Sequence, residues 1–123
     1  MGGYRLIRVN GDSMAPTYTH GKLLLMRKFP SALKPLTNRN NLTNRNNLSK
    51  SIINRLKVDQ VLVITAPNFP GVWQIKRLKR INYELKKIWV EGDNPKSTDS
   101  RSWGELDINN IVGKVVLALP IIR

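Results

Sequence analysis

The stretch DQVLVITAPNFPGVWQIKRLKRIN, residues 59–82, constrains the fold most. Its two arms are rich in β-branched and aromatic residues, and the APNFPG between them is dense in turn formers. That pattern predicts strands over 59–65 and 72–82, joined as a hairpin. Similar runs recur along the chain. YRLIRV (4–9) and KLLLMRK (22–28, stopped by Pro30) read as strands. KKIWVEGDNP (86–95) reads as a strand ending in a turn, and NIVGKVVLALP (110–120) as a closing strand. No segment keeps a helical repeat of apolar residues. The expected fold is mostly β, a small antiparallel half-barrel or a folded pair of sheets. The 123 residues suffice for one domain with a core, spanning 1–123, and are too few for two.

One segment stands outside this pattern. LTNRNN occurs twice in tandem, at 36–41 and 42–47. Its period of six matches neither helix nor strand, and it offers little apolar surface to bury. Residues 31–57 are therefore expected to form a flexible basic insertion. The sequons at Asn41 and Asn47 carry no weight without a secretion signal.

Several chemistries are excluded. The chain has no cysteine, so it has no disulfide, thiol nucleophile or cysteine-bound zinc. Its single histidine, His20, rules out a histidine-rich metal site and reads as a turn residue. No cofactor or metal is expected. The segment MGGYRLIRV is too short and too broken by charge for a signal peptide. No apolar run approaches the roughly 20 residues that span a bilayer. The chain is expected to be cytoplasmic or peripheral to a membrane. Its net charge of +13 is densest at 31–58, which has no acidic residue at all. Such a balance suits a polyanion: nucleic acid, an acidic substrate or an anionic membrane surface.

A serine in VNGDSMAPT (9–17) raises the question of catalysis. Ser13 beside Gly11 and Asp12 is alone no more than a turn serine. It does not sit in a G-x-S-x-G elbow, because Ala15 stands at the second glycine. Two other pieces alter this. Lys76 lies in the middle of a strand that must be partly buried, and WVEGDNPKSTDSRSWG (89–104) is a long loop dense in Gly, Asp, Asn and Ser.

Taken in order, Gly-Asp-Ser-Met-x-Pro-Thr at 11–17, Ile-Lys-Arg at 75–77 and Gly-Asp-Asn…Ser-x-Asp-Ser-Arg-x-x-Gly at 92–104 resemble the signal peptidase I family of Ser/Lys proteases. The resemblance runs from about residue 9 to residue 118, outside the repeat. It implies that family's antiparallel β catalytic core and a single peptidase domain. It implies Ser13 as nucleophile and Lys76 as general base, with Ser97 hydrogen-bonded to the lysine. Asp99 and Arg101 become a pair bracing the site from behind, and Met14 and Pro16 shape the nucleophile turn. Many relatives place an oxyanion-binding serine where this chain has Gly11. They also usually carry a membrane anchor, and a longer subdomain where this chain has LKRINYELKK.

The chemistry suits these residue types. A serine hydroxyl attacks only when a base accepts its proton, and a lysine can do so only when neutral. Lysine ordinarily titrates near 10.4, so burial must lower it. Strand alternation places Arg80 on the face of Lys76, where its charge is expected to help. Read without the other motifs, this strand is equally a basic edge that deters aggregation.

The short form with WVEGDNP…STDSR.WG looks most like the branch that matures nickel-type superoxide dismutase, which implies a precursor protein as substrate. A leader peptidase of the signal peptidase I type is the alternative within the family. Outside it stand a scaffold homologue and a non-catalytic, nucleic-acid-binding module of the self-cleaving repressor fold. Nucleic acid is disfavoured, since no helix-turn-helix precedes the β domain and the Gly-Asp-Asn loop belongs to the peptidases.

Overall fold

The computed structural model describes residues 3–30 and 49–120. The LTNRNN repeat and the rest of 31–48 lie outside the described residues. The strands are β1 (Tyr4–Arg8), β2 (Leu23–Lys28), β3 (Val61–Ala66), β4 (Phe69–Asn82), β5 (Lys87–Glu91), β6 (Leu106–Asp107) and β7 (Ile111–Ala118). Helix α1 covers 49–54 and helix α2 covers Ser100–Trp103. The strands form one sheet in the order β1-β2-β7-β3-β4-β5-β6, antiparallel at every pairing.

The sheet is open but curled. Strands β1 and β4 are separated by three others, which in a flat sheet would hold them roughly 19 Å apart. Yet the Arg5 guanidinium lies 5.2 Å from the centre of the Trp73 ring. The half-barrel expectation is met in this form, as a single sheet instead of a folded pair. The predicted hairpin is β3–β4, with Leu62 opposite Lys76 and Ile64 opposite Gln74. Its long second arm turns at residues 83–86 into β5, so LKRINYELKK forms a short hairpin where relatives carry the longer subdomain.

The apolar core lies under the middle of the sheet. Leu62 and Ile64 of β3, Leu78 of β4, and Ile88 and Val90 of β5 meet Ile52, Ile53 and Leu56. Strand β3 is buried from Val61 to Ile64 on both faces, as a central strand with an unbroken apolar run should be. The insertion expected over 31–57 therefore extends too far. Residues 49–54 are helical, and Ile52, Ile53 and Leu56 bury their side chains in the core. Their apolar spacing is too short to register as a helical repeat, but it closes the core against β3, β4 and β5.

Candidate functional site

Ser13 sits in the connection between β1 and β2. A hydrogen bond from the Val9 N–H to the Lys22 carbonyl (2.8 Å) closes the base of that connection, and the Ala15 N–H donates to Asp12 (3.0 Å) within it. Gly11 has φ +93°, a conformation that a side chain would strain. Its N–H donates to Nδ1 of His20 at 3.0 Å, so His20 ties down the start of the turn. Met14 is fully buried, and its Sδ accepts from the Asp93 N–H at 3.5 Å. Burying Met14 fixes how its neighbour Ser13 is presented. Pro16 is exposed further along the same turn.

Lys76 occupies the centre of β4 and is 2% exposed. It faces Leu62 across the sheet and shares a strand face with Leu78, both wholly buried. Loss of hydration pushes its pKa down from the ordinary 10.5. Asp99 pulls it back up, and Arg101 pushes it down again. The positive neighbour that matters is thus Arg101. Arg80, expected in that role, is turned aside where the register slips between Leu78 and Arg80, and it stacks 4.4 Å from the Trp89 ring.

The third piece is the loop from Gly92 to Arg101. Asp99 is completely buried, yet its carboxylate is saturated with donors. Oδ2 accepts from the Ser97 hydroxyl (2.6 Å), the Gly92 N–H (2.8 Å) and Arg101 Nη2 (2.6 Å). Oδ1 accepts from the Arg101 N–H (3.0 Å) and Nε (2.9 Å). Burial alone would raise the Asp99 pKa. The bonds from Arg101, Ser97 and the backbone outweigh it and hold the carboxyl well below the usual carboxylate range. The pair is one-sided: Asp99 is fully buried, whereas the Arg101 side chain is 39% exposed. The partner implied for Ser97 is a different matter. Its hydroxyl donates to Asp99, and among the described residues no hydrogen bond joins Ser97 to Lys76. A carboxylate is the stronger acceptor and sits two residues away.

A cavity of ≈390 Å³ joins these pieces. Gly11, Ser13, Met14, Gln74, Lys76 and Thr98 are among the residues lining it. The fold therefore brings Ser13 and Lys76 to one cavity, and Asp99 and Arg101 lie close enough to Lys76 to act on its charge.

Sequence reasoning passed over two supports. Arg77 holds Asp93 through two bonds, Nε to Oδ1 and Nη2 to Oδ2, both 2.8 Å. Asn94 donates its side-chain amide to the Asp12 carbonyl at 3.0 Å. The signal for both was the Gly-Asp-Asn triplet, whose aspartate and asparagine each have a tertiary partner.

Residues 83–119 match the family model described as signal peptidase, peptidase S26. The match takes in Ser97, Asp99 and Arg101 and supports a signal-peptidase-like protease in general. Ser13 and Lys76 lie outside it. No curated protein matches the chain. Among the described residues, no cluster of three or more His, Asp or Glu side chains could hold a metal ion, and no helix is long and apolar enough to cross a membrane.

Proposed function

We propose that this chain is a Ser/Lys endopeptidase that removes an N-terminal peptide from a precursor protein. The observation that carries this reading is the shared cavity of Ser13 and a buried Lys76 whose pKa is pushed down. Neutral Lys76 takes the Ser13 proton as the Oγ attacks the scissile carbonyl. The developing oxyanion draws on backbone N–H groups, that of Ser13 among them. The Gly11 N–H is committed to His20 and is not among them. Lys76 then passes its proton to the leaving amine; neutral again, it takes a proton from water, whose attack releases the acyl group, and returns that proton to the Ser13 Oγ.

Asp99 and Arg101 contribute through charge. A carboxylate beside Lys76 favours its protonated form, and Arg101 offsets part of that pull while burial supplies the larger push downward.

The substrate we favour is the precursor of nickel-type superoxide dismutase, on the likeness of WVEGDNP…STDSR.WG to that branch. The test is incubation with that precursor, with mass spectrometry of the new N-terminus and Ser13→Ala as control. A defined cut that vanishes in the variant is the expected result. No cut there, but a Ser13-dependent cut in a signal-peptide precursor, would move the substrate to leader peptides. No cut in either would remove the reading.

A further inference from the structure

One residue lining the cavity carries a donor with no partner. The side-chain amide nitrogen of Gln74 is buried and makes no hydrogen bond among the described residues. Gln74 lines the cavity with Ser13 and Lys76. It lies two residues before Lys76 on the same strand, hence on the same face, and pairs with Ile64 across the sheet. Buried polar groups are nearly always satisfied, because an unpaired one forfeits its bond to water and gains nothing. A leucine or methionine would fill this place beside Ile64 with no such cost. The amide turns about χ3, a soft torsion, so its nitrogen can reorient when an acceptor is offered. What would satisfy it there is a carbonyl oxygen, the acceptor that every peptide substrate carries.

We infer that Gln74 is a substrate-binding residue whose amide donates to a backbone carbonyl oxygen of the bound peptide. The inference rests on the peptidase reading. It adds a side-chain donor in a chain that has Gly11 where many relatives have an oxyanion-binding serine. A donor to the scissile carbonyl acts in the transition state, whereas a donor to a flanking carbonyl acts in binding.

The experiment compares the full chain with its Gln74→Met and Gln74→Glu variants, neither of which can donate this bond at neutral pH. The probe is a synthetic peptide spanning the propeptide junction of the nickel superoxide dismutase precursor. Affinity is measured in the Ser13→Ala background and turnover in the wild-type background. Loss of a flanking-carbonyl bond weakens affinity about tenfold in both variants. Loss of a scissile-carbonyl bond leaves affinity alone and lowers kcat by about 10²-fold. Either result supports the inference, and unchanged affinity and kcat overturn it.

Thermal unfolding of Gln74→Met supplies an arm independent of the probe. Removing a donor unpaired in the free protein should raise Tm. If the peptide neither binds nor is cut, the substrate reading fails by itself and the Tm decides. A raised Tm supports a donor held for a ligand, and a lowered Tm means the amide serves the fold and overturns the inference.

Discussion

The backbone N–H of Asn94 donates to the carbonyl oxygen of Ser13 at 3.0 Å. Through that bond, the turn between β1 and β2 and the loop after β5 behave as one structural unit. Gly92 makes the approach possible, since a Cβ there would overlap the Ser13 carbonyl oxygen and the Ser97 side chain.

Gly92→Ala should therefore push Ser13 and Ser97 apart. Overpacking of this kind costs about 1–3 kcal/mol of stability. The loss of cleavage should exceed what the drop in folded fraction explains, as measured by assays well below Tm.

Ser13→Ala and Lys76→Met should each abolish cleavage in a folded protein. Lys76→Arg should not rescue it, because a guanidinium stays protonated. Circular dichroism of the three variants beside the cleavage assay checks this. A wild-type rate in any of them would remove that residue from the chemistry.

Cleavage should rise with pH on a limb whose midpoint lies below 10.5, the ordinary lysine value, because burial lowers Lys76. Stability carries the same signature. Between the lowered folded pKa and 10.5 the unfolded chain binds more protons than the folded one, so stability grows as pH rises through that window. Urea unfolding at a series of pH values should display this climb, and Lys76→Met should flatten it.

Asp99→Ala should cost about 1–3 kcal/mol for each buried donor it strands, those of Ser97 and Gly92. The native carboxyl titrates below its unfolded value, so its contribution is complete above pH 3.8 and fades as pH falls through the lowered folded pKa. Acid unfolding should thus begin at higher pH in Asp99→Asn than in the wild type.

Asn94→Ala removes the bond to the Asp12 carbonyl and the one its Oδ1 accepts from the Lys96 N–H, while leaving the main-chain bond to Ser13 in place. A net loss of about 0.5–1.5 kcal/mol per bond is expected. Urea midpoints measure it, and an unchanged midpoint would make both bonds dispensable.

Alternating apolar residues made the strands legible, and β3–β4 was readable as a hairpin because turn formers separate two β-rich runs. Ser13, Lys76 and the Gly-Asp-Asn loop were legible as motifs. What stayed hidden depends on register, on competition between partners and on tertiary burial. Arg80 looked like the charge beside Lys76 because strand alternation put it there, yet the slipped register swings it away and Arg101 arrives from the loop. The hydroxyl of Ser97 goes to Asp99 because a carboxylate two residues away is the stronger acceptor. Helix α1 escaped notice because Ile52, Ile53 and Leu56 make only about one turn of apolar spacing beside a polar repeat.

Strand β7 lies between β2 and β3, so the β1–β2 hairpin joins the rest of the sheet through β7 alone. A ribosome makes that strand after all the others described. Until it emerges, the hairpin carrying Ser13 has no edge of the sheet to pair with, and β3 lacks one of its two neighbours. Contacts of such sequence separation form late and slowly. The growing chain therefore holds Ser13 and Lys76 on pieces the sheet has not yet joined, and the sheet around their cavity is completed only after synthesis has passed β7.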